Sequence, residues 1–142
     1  MVGSRRTARA EVVERSGALV GWEADVSSSL MGTAAEPRLH AMTTLSVTGE
    51  FDEALAGVRR FEVDISPAGP APPDWTPRGA GVWTAVKPAF SGAVYLPSQQ
   101  FDLVQAMAIS GKLRWASFNF EQPKYGSSRI LLAWFSSRPD GG

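Results

Sequence analysis

From Arg60 to Ile65 the chain alternates without a break: Phe61, Val63 and Ile65 are apolar, while Arg60, Glu62 and Asp64 are charged. A period of two sends successive side chains to opposite faces of an extended backbone, so this segment has one face made for a core and one made for water. The same period recurs where Leu39, Ala41, Thr43, Leu45 and Val47 alternate with His40, Met42, Thr44 and Ser46, and where Val20, Trp22, Ala24 and Val26 oppose Glu23 and Asp25. A chain patterned this way folds into pleated layers.

Other segments punctuate the strands. Between Ala8 and Val26 two alternating runs flank Arg15-Ser16-Gly17, which reads as a hairpin, and polar, small Ser27 to Pro37 reads as a loop. Glu50 to Ala56 reads as a short helical turn stopped by Gly57. Residues 66–81 hold five prolines and three glycines, a density that neither a helix nor an interior strand tolerates, so a long proline-rich excursion is expected there. Short strands follow at 82–87 and 90–96. Pro97-Ser98 then starts a helix over 98–110, with Phe101, Val104, Met107 and Ala108 at helical spacing and Gly111 as its stop. In the closing aromatic hairpin, Leu113 and Trp115 are out of phase with Phe118 and Phe120, which predicts a bulge near Ala116-Ser117. Gln122 to Gly126 makes its turn, and the run Ile130 to Phe135, apolar without alternation, reads as a strand covered on both faces.

The fold class expected is mainly β to α+β: a single-domain antiparallel β-sandwich or barrel of about eight short strands with one principal helix. Residues 8–136 form that domain, between a flexible N-terminus at 1–7 and a flexible tail at 137–142. A composition 44% hydrophobic and 20% charged supports one packed core. With no cysteine, disulfides and thiolate chemistry are excluded, and no segment has the length of a membrane-spanning helix, so a cytoplasmic protein is the expectation.

Lys plus Arg equals Asp plus Glu at 14 each, which leaves no global field to recruit nucleic acid or lipid. Yet residues 1–71 carry 7 basic against 10 acidic side chains, and residues 72–142 carry 7 against 4. The chain is therefore weakly polar in charge from one half to the other.

Candidate chemistry is sparse. His40 is the sole histidine, no G-x-S-x-G turn accompanies it, and one histidine cannot build a His-rich metal site. Glu62 and Asp64 share the wet face of one strand, as Glu23 and Asp25 do on another. An acid–base or metal-assisted enzyme would draw on Glu62, Asp64 and His40. Asp64-Ile65-Ser66-Pro67-Ala68-Gly69 matches D-x-S-x-x-G, and Arg5 with Arg9 matches R-x-x-x-R. Together these resemble the signature of the PilZ family, whose β-barrels bind cyclic di-GMP through such residues. The chain departs from that family by separating the two motifs with several elements and by following Gly69 with prolines, so no family is assigned.

Nucleic acid would have its best surface on the hairpin 112–138, where Lys112, Arg114, Lys124, Arg129 and Arg138 interleave with aromatics, but the core has the stronger demand for those aromatics. The reading that remains is a non-catalytic binding or interaction domain without cofactor or metal. Its expected contacts are Trp75, Trp83 and Tyr125, with Arg78 and Lys124 orienting a small polar ligand or protein partner at a mouth between the proline-rich excursion and the Pro123 to Gly126 turn. Self-association as a homo-dimer through an aromatic sheet face is expected beside it.

Overall fold

The alternating segments do become strands, and the strands close on themselves. The structure, a computed structural model, describes residues 11–68 and 79–139, with His40 described by its backbone alone. The N-terminal stretch 1–7, Trp75 and Arg78, and the end of the tail at 140–142 lie outside the described residues. In chain order the elements are β1 (Val12–Gly32), β2 (Pro37–Leu55), β3 (Val58–Ala68), β4 (Gly81–Ala85), β5 (Phe90–Pro97), α1 (Ser98–Ile109), β6 (Trp115–Glu121) and β7 (Ser128–Ser136). The strands form a closed barrel in the order β1-β2-β3-β5-β4-β7-β6. All neighbours are antiparallel except β3 and β5, which run parallel, so the expectation of a wholly antiparallel sheet is corrected at that one pair.

The barrel is filled, not hollow. Trp83, Phe51, Phe61, Phe90, Phe118 and Phe120 are fully buried inside it. Phe51 stacks on Phe61 at 4.7 Å between ring centroids, while Trp83 meets Phe118 edge-on at 5.1 Å. Such pairs add about 0.5–1.5 kcal/mol each beyond their buried area. Room for these rings comes from glycines directly across the ladder: Gly17 faces Phe51, Gly49 faces Phe61 and Gly92 faces Trp83. A Cβ at Gly49 would sit 2.5 Å from the Phe61 ring, and one at Gly92 would sit 2.9 Å from the Trp83 indole. Large-opposite-small pairing of this kind is how a narrow barrel accommodates its own lining.

Two bulges keep the apolar residues pointing inward. On β1 the register against β2 shifts between Leu19 and Gly21, leaving Val20 as the extra residue. Inward positions are therefore odd before it (Val13, Gly17) and even after it (Trp22 and Ala24, opposite Val47 and Leu45). On β7 the shift between Ile130 and Leu132 makes Leu131 the extra residue. A one-residue insertion is the only way to change phase without turning a strand inside out.

Several sequence readings are corrected by this register. Arg15-Ser16-Gly17 is no turn: Ser16 and Gly17 lie mid-strand, paired with β6 at Ser117 and Ala116 and, for Gly17, with β2 as well. Gly17 is there because β2 passes too close for a Cβ, whose position would collide with the Glu50 carbonyl. Ser27 to Pro37 is mostly strand, and the connection shrinks to residues 33–36. Within Glu50 to Ala56, residues 50–55 are the end of β2, followed by a two-residue turn in which Ala56 and Gly57 have φ of 53° and 79°. Both values are positive, as a twist-matched hairpin turn requires. There is no bulge at Ala116-Ser117; the phase change predicted there falls before the strand, between buried Leu113 and outward Trp115. The run at β7 is not covered on both faces, because Leu131, Leu132 and Trp134 are exposed.

The principal helix stands where its spacing puts it. α1 starts after Pro97, buries Phe101, Val104 and Ala108, and packs on β3 and β5. Its chain direction reverses at Gly111, with φ of 75°. Ala68 pairs with Pro97, and Trp115 pairs with both Ala18 and Ser136, so α1 occupies one rim of the barrel. The tight turns at Ala56-Gly57 and Tyr125-Gly126 occupy the other.

Candidate interaction surface

At the α1 rim the first hairpin outgrows the barrel. β6 accompanies β1 only as far as Ala18, and β3 accompanies β2 only from Leu45 on. Beyond that point the two strands pair with each other alone among the described residues, through Val26 opposite Thr43 and Leu30 opposite Leu39 to Gly32 opposite Pro37. The tip is fastened by the Glu36 N–H, which donates to the Thr33 carbonyl at 3.1 Å and to its Oγ1 at 3.1 Å. The result is a two-stranded arm.

The arm's inner face continues the lining of the barrel into solvent. Trp22, Ala24, Val26, Ser28 and Leu30 lie across from Val47, Leu45, Thr43, Ala41 and Leu39. Inside the barrel Leu45 is 1% exposed; on the arm Leu39, in the same strand and phase, is 74% exposed. Val26 and Leu30 are exposed to the same degree. Seven of the sixteen exposed large hydrophobics among the described residues, Val20, Trp22, Val26, Leu30, Met31, Leu39 and Met42, fall between positions 20 and 42. Scattered apolar residues on a surface are ordinary, whereas here they are concentrated on one projecting ribbon. The opposite face carries Glu23 and Asp25 near the root and Arg38 beside Met31 near the tip.

The residues singled out in the sequence are placed elsewhere. Glu62 is exposed on β3 and paired with Arg60 at 3.2 Å, and Asp64 accepts a 2.6 Å hydrogen bond from the Ser46 hydroxyl. His40 lies on β2 opposite Ser29, six residues along the strand from Ser46, which is roughly 20 Å. The three are not brought together. Among the described residues no three His, Asp or Glu side chains gather as metal ligands. Phe118 and Phe120, read as possible stacking platforms for bases, are inside the core.

Of the expected ligand contacts, Trp83 is corrected outright: it is fully buried against Phe90 and Phe118 and offers nothing to solvent. Lys124 and Tyr125 are exposed on the β6–β7 turn, with Tyr125 at φ 55°. Grooves flank that ring on both sides. One, of about 480 Å³, runs between Tyr125 and the β4–β5 connection at Thr84 to Lys87. The other, of about 420 Å³, passes Lys124 and the Glu121–Arg129 ion pair, whose atoms are 3.0 Å apart. Both are open, and Tyr125 stands wholly in water, so neither gives a small ligand the enclosure that affinity needs.

Sequence reasoning missed the arm because it stopped the strand at Val26. The signal was present: Ser28 and Leu30 extend the alternation, and Leu39, Ala41 and Thr43 mirror it about the residues 33–36. Compared with protein-family models, with curated proteins and with solved structures, the chain matches none. No helix among the described residues is long and apolar enough to cross a membrane.

Proposed function

We propose that the protein is a non-catalytic interaction domain whose binding element is the arm formed by β1 and β2, and that it holds a protein partner in preference to a small ligand. The observation that carries this reading is the apolar inner face of the arm, with Val26, Leu30 and Leu39 each about three-quarters exposed. Burying such side chains is favourable by ~1.5–3 kcal/mol each, a gain available only to a partner that covers them. A barrel filled by fully buried Trp83, Phe51, Phe61, Phe90, Phe118 and Phe120 supports the same reading. The acid–base enzyme reading has no comparable support: Glu62 and Asp64 have neighbours of their own, and the strand separates His40 from them.

The test is the triple variant Val26→Ser, Leu30→Ser, Leu39→Ser. At a chain concentration low enough to keep copies apart, an interaction surface predicts an unfolding midpoint close to that of the parent and weaker binding of a hydrophobic dye. A loss of stability above about 2 kcal/mol, the scale of a core deletion, would assign these residues to the protein's own packing and remove the reading.

A further inference from the structure

We propose that the partner of the arm is a second copy of this chain, the two copies meeting rim to rim across a two-fold axis so that each arm lies along the outside of the other's β6 and β7. This rests on the arm being an interaction surface, and it names what covers it.

The chain carries a receptor for its own arm. On β7 the bulge at Leu131 turns Leu132 and Trp134 outward, and all three side chains are exposed. This strip runs to the same rim from which the arm departs, because Ala18, Trp115 and Ser136 form one row across β1, β6 and β7. Lengths agree as well. From the last row shared with β3, at Ala24 and Leu45, the arm continues through residues 25–32, roughly 25 Å at about 3.3 Å per residue, and the strip from Leu131 to Ser136 spans roughly 20 Å.

Charge fits the same placement. Glu23 and Asp25 stand at the root of the arm, and Arg114 and Arg138 stand at the rim beside Trp115 and Ser136, all four exposed. When two rims face each other, the root of one arm passes the rim of the other copy; its acids lie on the face away from the apolar contact, so they draw the partner's arginines by long-range attraction and not as contacting pairs.

Area favours reciprocal docking over arms that touch only each other. A ribbon of two strands about 4.8 Å apart and roughly 25 Å long presents a face of roughly 250 Å². Arm against arm would bury about 500 Å² in total, the size of a lattice contact, whereas two arm-on-strip contacts bury about 1,000 Å², the size at which specific interfaces begin. The arrangement is also closed: the two-fold axis makes the exchange reciprocal between the same two copies, so association stops at two.

The chain has no cysteine, which makes a chemical test clean. In the full chain, Val26→Cys and Leu132→Cys are made as separate variants, mixed, and treated with a short bis-maleimide. The expected result is a cross-linked pair in the mixture and little in either variant alone. Light scattering is expected to give twice the 15.2 kDa of one chain. Leu30→Asp or Trp134→Asp should weaken dimerisation at least tenfold. Asp25→Arg and Arg114→Glu should each weaken it several-fold and restore it when combined. A mass of one chain at millimolar concentration, or a dimer indifferent to Trp134→Asp, overturns the proposal. If that happens while the serine variant of the arm remains stable, the arm is still an interaction surface and a different protein covers it. If the serine variant unfolds, both readings fall together.

Discussion

β2 is one strand with two fates. Leu45 and Val47 in its middle are buried by the barrel, while Leu39, six and eight residues earlier in the same phase, stands in solvent. The backbone is the same in both halves, and so is the alternation. What differs is the neighbour: β3 on the outer edge and the aromatic cluster beneath in one half, and β1 alone in the other. Alternation therefore records which face of a strand is apolar, and leaves open whether the same chain covers it. On the proposed reading, the apolar face that its own fold leaves uncovered is the surface for association.

The largest test of this contrast lies at the covered end. Trp83→Ala should cost about 3–5 kcal/mol in denaturant unfolding, because the indole fills the barrel between Phe90, Phe118 and Phe120 and no backbone shift closes so large a void. Trp83→Phe should cost much less, since the indole Nε1 is buried without a hydrogen-bond partner and its removal recovers a desolvation penalty. Equal losses for the two variants would mean that the ring volume a phenylalanine retains contributes nothing, against the packing described for the core.

Next in size is the contact that made Gly17 look like a turn. Gly17→Ala should destabilise by about 1–3 kcal/mol, because the new methyl meets backbone at Glu50 and cannot be accommodated by a side-chain rotation. A neutral result would show that β1 and β2 separate more easily inside the barrel than their ladder implies.

These two positions also show how far the sequence could be read. Phe61, Val63 and Ile65 pointed inward as alternation requires, and Phe101, Val104 and Ala108 faced the core from a helix bounded by Pro97 and Gly111. Gly17 was illegible because a glycine that permits close approach and a glycine that permits a turn are the same residue; only the strand beside it separates the two. Trp83 was illegible for a related reason. A tryptophan beside a proline-rich segment suits a surface platform, and only Gly92 across the ladder, which leaves room for the indole, places it in the core. The arm was half legible: its alternation is in the sequence, but its lack of cover depends on where β6 and β3 stop, which is a property of strands far away in the chain.

Smaller still is the turn that ends β2. Ala56 holds a φ of 53° between Leu55 and Val58, a left-handed conformation that costs an alanine about 1 kcal/mol and an asparagine or glycine less. Ala56→Asn should therefore stabilise the barrel by about 0.5–1 kcal/mol, read as a higher unfolding midpoint with an unchanged denaturant slope. A destabilised variant would mean that the turn is held by tertiary contacts and not by its own dihedral preference.

The smallest expected effect decides the comparison. Leu39→Ala should change the unfolding free energy by no more than about 0.5 kcal/mol, measured at a chain concentration low enough to keep copies apart, because the side chain is already in water in the folded state. Leu45→Ala, in the same strand and phase, should cost about 2–5 kcal/mol. The ratio of the two carries the argument, since strand propensity, alternation and residue type are held constant and only the cover differs. A cost at Leu39 approaching that at Leu45 would mean that the arm folds back onto its own barrel, and the apolar face would then belong to the core it extends from.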